Sequence, residues 1–330
     1  MLDKYPPIGR FAPSPTGPLH LGSLYTALAG FLHARSQQGL WLLRIDDLDI
    51  PRNVKGSADG ILKTLESFGL FWDGEVYYQS RHIDIYNDII NGLQNNKLIY
   101  ACTCSRKTLA ASNRGQSQSG IYPGICRDRQ TLPAAARNDG SAAIGTTVGM
   151  QEVEQLREQL PRHDPHALRI KADNCIITFQ DELQGRISHN LAEQDGDFIV
   201  KRKDGIIAYQ FAVVIDDDLQ RVNHIVRGFD LLDETPKQIY LQQLLGFPTP
   251  GYMHVPVIID EQGYKLSKQT QAMAVDLTSP DRVIFELLVL LKQNPPIELQ
   301  QAPVTELLGW AIEHWNPVLL KNAHAVSCDY

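Results

Sequence analysis

Three prolines and two glycines fall within the fourteen residues from Arg10 to Ser23, which read RFAPSPTGPLHLGS. Pro13, Pro15 and Pro18 each fix φ and remove a backbone donor, so this stretch cannot be helix. From Leu21 the apolar positions change to Leu21, Leu24, Ala27, Leu28, Phe31 and Leu32. That is the period of an amphipathic helix, predicted over 21–38 and ending near Gly39. A stiff loop therefore feeds directly into a helix N-terminus. Gly17 and Gly22 permit close approach of backbone or ligand there. Free N–H groups and the positive end of the helix dipole make such a junction a seat for phosphate. His20 sits at this junction and can donate to a phosphate oxygen. A capped surface helix is the plainer account of any single residue; the clustering is what points to a phosphate site.

The rest of the chain supplies a frame for that loop. Trp41–Ile45 reads as a strand, Asp46-Asp-Leu-Asp49 as an acidic turn, and Ser57–Phe68 as a helix. This is the βαβ rhythm of a parallel sheet, whose ligands bind at the carboxyl ends of strands, where Asp46 would lie. A solvated cap is the competing account of Asp46. A helix is predicted over 81–97, with Ile83, Tyr86, Ile89, Ile90 and Leu93 as its apolar stripe. Strands are predicted at Leu168–Ala172, Cys175–Phe179, Asp197–Lys201 and His224–Asp230, with a turn at Asp204-Gly205. Tyr209 lies in an apolar run and reads as a core residue. Arg227 ends an apolar strand, where a planar, always-charged fork either takes a ligand carboxylate or pairs with Asp230 or Asp233. A helix over 235–245 and a strand His254–Ile259 lead through a turn at Gly263 into Lys265-Leu-Ser-Lys268. Helices over 281–292 and 304–315 follow.

Cys102, Cys104 and Cys126 crowd into 25 residues, in the spacing C-x-C-x17-Y-x3-C that includes Tyr122. Three such thiols suit three corners of a tetrahedral zinc site, or stand as buried free thiols. The segment 83–162 (between His82 and His163) contains no histidine, so Tyr122 is the nearest oxygen donor for a fourth ligand. Cys175 and Cys328 are isolated. Residues 131–165 read as an insertion carrying a short helix over 151–160. At 330 residues, 43% hydrophobic and 21% charged, the chain suits one large domain plus a small one. It has no apolar run of membrane-spanning length and no secretory h-region, so a cytoplasmic location and no membrane are expected. A net charge of −7 does not by itself suggest a nucleic-acid partner.

Pro18-Leu-His-Leu-Gly-Ser23 resembles the HIGH signature of class I aminoacyl-tRNA synthetases, and Arg10–Gly17 resembles its form in the glutamyl/glutaminyl branch. Lys265-Leu-Ser-Lys268 is similar to the first four positions of the partner KMSKS signature, with Gln269 in place of the final Ser. The resemblance implies an α/β, Rossmann-like parallel-sheet catalytic core. Its first half would cover 1–100 and its second half 196–250, with a zinc-containing subdomain inserted at 101–195. The KLSK loop and a helical C-terminal region would cover 251–330. Only 62 residues follow Lys268 (330 − 268), so no anticodon-binding domain is expected. That shortness resembles the glutamyl-Q tRNA(Asp) synthetase family.

By this resemblance His20, Lys265 and Lys268 are catalytic. Pro18, His20, Gly22, Ser23, Lys265, Leu266, Ser267 and Lys268 bind ATP, with Mg²⁺. Arg10, Phe11, Ala12, Pro13, Ser14, Asp46, Tyr209 and Arg227 bind L-glutamate, and Asp46 replaces the longer Glu of the branch. Cys102, Cys104, Tyr122 and Cys126 hold one Zn²⁺. The partner implied is tRNA(Asp) bearing queuosine, and the chain is expected to be a monomer. Charging of a tRNA 3′ end, or a non-catalytic RNA-binding relic of the fold, are the alternatives.

Overall fold

The computed structural model describes residues 6–105, 107–109, 121–127, 165–172, 174–260, 262–266 and 275–327. Residues 131–164 of the insertion expected at 131–165, with its expected helix, and Ser267, Lys268 and Cys328 lie outside the described residues.

In chain order the strands are β1 (Ile8–Phe11), β2 (Leu40–Ile45), β3 (Tyr77–Tyr78), β4 (Ile99–Cys102), β5 (Ala167–Ile170), β6 (Ile176–Asp181), β7 (Gly185–Asn190), β8 (Phe198–Lys201), β9 (His224–Gly228), β10 (Gly251–Val255), β11 (Val257–Ile259) and β12 (Ala325–Ser327). The α-helices are α1 (Leu21–Ser36), α2 (Ser57–Ser67), α3 (Ile83–Asn95), α4 (Leu191–Gln194), α5 (Tyr209–Leu219), α6 (Thr235–Leu245), α7 (Pro280–Leu290) and α8 (Val304–His314).

They form two units. The first comprises Met1–Asp88, Ile176–Leu191 and Tyr209–Tyr330; the second comprises Ile89–Cys175 and Ala192–Ala208. The sequence-based boundaries differ. The β6–β7 hairpin, placed by sequence inside the insert, belongs to the first unit, and residues 196–208 belong to the second. Strand periodicity gives no sign of which sheet a hairpin joins.

The first unit is built from βαβ crossovers. β1 pairs in parallel with β2 across α1, and β2 pairs in parallel with β3. β9 pairs in parallel with β10 across α6, and β10 continues in parallel to β6. The hairpin partner β7 closes that sheet antiparallel to β6.

The expected amphipathic character of α1 is not what the fold uses. From Leu24 to Ala34 every residue except Thr26 is buried. The helix is enclosed because it packs on β1, β2 and β9 on one side and on α8 on the other. Phe31 meets Trp41 edge-on at 5.4 Å, and Phe11 stacks on the same indole at 6.2 Å. The turn from α1 into β2 requires glycine at position 39. A Cβ there would overlap the Pro7 carbonyl oxygen, which accepts from the Leu40 amide at 2.9 Å.

In the second unit β4, β5 and β8 form an antiparallel sheet. Asp197 is its buried hub: it accepts from the Tyr100 hydroxyl at 2.5 Å and from the Ala172 amide at 2.8 Å. Tyr100, Cys102, Tyr122 and Cys126 make a small core of their own.

Candidate active site

A cleft of about 320 Å³ opens at the carboxyl ends of β1 and β9, within the first unit. Its floor is Arg10 to Pro13 from β1 and the loop after it. One wall is His20, Gly22 and Ser23 at the start of α1. The other is Val226 to Gly228 with Tyr209, and the rim carries Asp230, Lys265 and Leu266.

The proline-rich loop is held by backbone bonds to the strand-and-turn segment beside it. The Asp46 amide donates to the Pro13 carbonyl at 3.0 Å and the Val54 amide to Pro15 at 2.9 Å. Ser57 Oγ bonds both the amide and the carbonyl of Gly17. The prolines cannot donate, so their carbonyls serve as the acceptors that tie the loop down.

At the N-terminus of α1 the His20 ring folds back over the first turn. Nδ1 accepts from the Ser23 amide at 3.2 Å, and Nε2 lies 3.0 Å from Ser23 Oγ. A ring whose Nδ1 accepts carries its proton on Nε2. Gly22 brings the two signatures together. A Cβ at that position would sit 3.3 Å from both the His20 ring and the Leu266 carbonyl oxygen. The hairpin after β11 delivers this contact, with the Leu266 amide donating to Ile258 at 2.9 Å. On the far side of the KLSK segment, the Val275 amide bonds the Leu19 carbonyl at 3.1 Å. Both flanks of that segment are thus fastened beside the HIGH-like loop. Lys265 Nζ reaches Asp230 at 2.6 Å across the rim.

Arg227 is 3% exposed. Its Nε donates to His254 Nε2 at 3.0 Å, Nη1 to Gln238 Oε1 at 2.7 Å, and Nη2 to Thr235 Oγ1 at 2.7 Å. The expected alternative, a salt bridge to Asp230 or Asp233, is not formed; Asp230 instead takes Lys265. Every partner is neutral. Of the guanidinium's five N–H donors, two remain, one on each terminal nitrogen, without an acceptor among the described residues.

Arg10 differs. It pairs with Asp217 at 3.0 Å, and Asp217 in turn takes Arg44 at 2.6 Å. Burial alone would raise the Asp217 carboxyl, but Arg10 and Arg44 outweigh it and hold the group below the ordinary carboxylate range.

Asp46 is buried rather than a solvated cap, and it does not line the cleft. It accepts from Arg44 Nε at 2.8 Å, and burial pushes its carboxyl up to about 6. One methylene shorter than Glu, the side chain is taken up by the arginine beside it. Pro18 is exposed and also lies outside the lining. Tyr209, which the apolar run alone reads as core and the resemblance places at the amino-acid site, is 39% exposed and lines the cleft as the first residue of α5.

The sequence missed Asp217, Arg44, Thr235, Gln238, Asp181 and His254. One signal was present: arginines inside apolar strands at 10 and 44 require carboxylates, and the run Asp216-Asp217-Asp218 closes an apolar helix.

In the second unit the four expected metal ligands converge. Cys104 and Cys126 Sγ are 3.6 Å apart, and the Tyr122 hydroxyl is 3.5 Å from Cys102 Sγ and 3.8 Å from Cys104 Sγ. The sulfurs are too far apart for a disulfide. Zinc–ligand bond lengths put tetrahedral S···S edges at about 3.8 Å and S···O edges at about 3.5 Å. The donor set therefore fits the ion in both chemistry and spacing. Burial alone would raise the Cys126 thiol, but the hydrogen bonds from Tyr122 and the Thr103 backbone bring it down to about 7, toward the ligating thiolate.

Residues 8–283 match the family described as tRNA synthetases class I (E and Q), catalytic domain. The chain belongs to that family. As a member it is an aminoacyl-tRNA synthetase-type ligase that uses ATP. Relatives named glutamyl-Q tRNA(Asp) synthetase include one from Thiobacillus denitrificans, 44% identical over 94% of this chain and 93% of its own length. Another, from Neisseria meningitidis, is 45% identical over 93% of this chain and 95% of its own. Among solved structures, the glutamate tRNA ligase of Elizabethkingia meningosepticum, determined with its amino acid, superposes with a TM-score of 0.74 at 26% identity. The match covers 98% of this chain and 67% of that one. Among the described residues no helix is long and apolar enough to cross a membrane.

Proposed function

We propose that the chain activates L-glutamate with ATP and transfers it to the queuosine base of tRNA(Asp). The observation that carries this reading is Arg227: a buried cation at the cleft, held by neutral groups, with two N–H donors left for a carboxylate. A neutral amino-acid side chain would leave that charge uncompensated.

In the first step the glutamate α-carboxylate attacks the α-phosphorus of ATP and pyrophosphate departs. In the second a hydroxyl of the acceptor attacks the activated acyl carbon and AMP leaves. No protein nucleophile is needed, so the catalytic power lies in placement and charge stabilisation. The wall at the start of α1, with His20 and Ser23, receives the triphosphate. Lys265 and Lys268 meet the negative charge that grows on the departing diphosphate. Lys265 would do so by exchanging Asp230 for a phosphate. Arg227 takes the side-chain carboxylate, and Ser14 and Tyr209 supply hydroxyls. Mg²⁺ bound with ATP would supply shielding of its phosphates. Cys102, Cys104, Tyr122 and Cys126 would hold one Zn²⁺, which would tie the 102–104 and 122–126 segments of the second unit together.

The acceptor is assigned on the names of the relatives. The test is glutamylation of tRNA(Asp) with and without queuosine, followed by nuclease mapping of the label. Label confined to the anticodon fragment of the queuosine-bearing tRNA is the expected result. Label on the 3′-terminal nucleotide would replace this reading with tRNA charging.

A further inference from the structure

Arg227 can recognise a carboxylate only if its guanidinium is held in one orientation, and a buried residue behind it decides which. His254 lies directly across from Arg227 in the β9–β10 register and is fully buried. Its Nε2 accepts from Arg227 Nε at 3.0 Å and lies 3.2 Å from Thr235 Oγ1. A guanidinium has no lone pair to offer, so Nε2 must be the unprotonated nitrogen and Nδ1 must carry the proton. Asp181, also fully buried, enforces this: its Oδ2 sits 2.6 Å from His254 Nδ1. The other oxygen, Oδ1, is pinned by the backbone amides of Leu183 at 3.0 Å and Gln184 at 2.9 Å. Burial alone would raise Asp181, but the bonds from His254 and these amides outweigh it and keep the carboxyl below its ordinary range. Burial, with Arg227 alongside, lowers His254 and keeps the ring neutral.

We propose that Asp181 and His254 are positioning residues for amino-acid recognition. Asp181 sets the His254 tautomer, and that tautomer aims the two remaining Arg227 N–H groups at the ligand carboxylate. This role rests on the reading of the cleft as a glutamate site.

The arrangement makes Asp181→Asn a sharp probe. The amides of Leu183 and Gln184 hold Oδ1 at 3.0 and 2.9 Å, whereas Oδ2 takes one longer amide contact, from His254 N at 3.2 Å, so the substituted NH₂ is placed best at the Oδ2 position facing His254 Nδ1. It then donates to Nδ1 and drives the ring proton to Nε2, donor against donor with Arg227 Nε. His254→Gln is the complementary probe, because its amide oxygen accepts from Arg227 whatever stands at 181. His254→Phe keeps a ring and removes the acceptor.

The experiment is glutamate-dependent ATP–pyrophosphate exchange, with and without tRNA, on wild type, D181N, H254Q, H254F and the D181N/H254Q double variant. D181N and H254F are expected to raise the KM for glutamate about 10- to 100-fold, the size of a misplaced charge-assisted contact. Their kcat and KM for ATP should stay within about threefold of wild type. H254Q should stay within about fivefold, and D181N should add no further loss in the H254Q background, a coupling only a shared device produces. The positioning role is overturned if D181N leaves the KM for glutamate unchanged. Equal losses in kcat and both KM values, or multiplying effects in the double variant, overturn it as well. If D181N does not fold, H254Q against H254F decides, and equal KM values in the two overturn it. A wild type with no glutamate-dependent exchange overturns the glutamate reading and this role together. Wild-type exchange with an unaltered D181N overturns this role alone.

Discussion

Two arginines lining the cleft do different work because of what stands behind them. Arg10 is neutralised by Asp217, whereas Arg227 is backed only by neutral acceptors. An anionic ligand therefore gains most from Arg227. Arg227→Lys keeps the charge and loses the planar fork. It should raise the KM for glutamate about 10- to 100-fold with a smaller effect on ATP, measured by steady-state exchange. Lys268→Ala should leave glutamate affinity nearly intact and depress adenylate formation by about two to three decades, as loss of a transition-state contact does. An exchange rate equal to wild type would remove Lys268 from the mechanism.

Strands and helices meet at buried charges as well as in the apolar core. Arg10 on β1 and Arg44 on β2 both converge on Asp217 of α5, which staples that helix to the sheet. Asp217→Asn leaves two buried cations undercompensated and should cost about 3–5 kcal/mol in urea denaturation at pH 7. The pH dependence follows from the depressed carboxyl. Its contribution is fully present above the unfolded value of 3.8 and is lost as pH falls through the lower folded value, because the unfolded chain then binds more protons than the native one. The wild-type urea midpoint should therefore fall steeply below about pH 4, and D217N should flatten part of that fall. The α1–β2 turn is a second junction of this kind. Gly39→Ala drives a methyl into the Pro7 carbonyl, which is backbone and cannot swing aside. A loss of about 1–3 kcal/mol is expected by denaturant titration.

Across the whole molecule, the two units rest on different physics. The first buries a continuous apolar core around α1. The second buries Ile99, Ile170, Phe198 and Val200 and, apart from them, a cluster of two tyrosines and two cysteines, where a bound ion would add what those four side chains alone cannot. Elemental analysis should find one zinc per chain, and Cys126→Ser should lose the metal and lower the thermal midpoint. Unchanged zinc content in that variant would remove Cys126 from the ligand set. Much of this was legible in the residues alone. Prolines, periodicity and the Gly22 position determine the loop-to-helix junction locally, and the cysteine spacing determines which thiols can share a corner, because these constraints act within a turn or two of chain. What the residues did not determine was which charge answers which. Asp217 answers Arg10 and Arg44, and Arg227 rests on His254, which Asp181 holds in turn. Those choices join positions from 27 to 207 residues apart, and only the packing of β1, β2, β6, β9, β10 and α5 brings them within bonding distance.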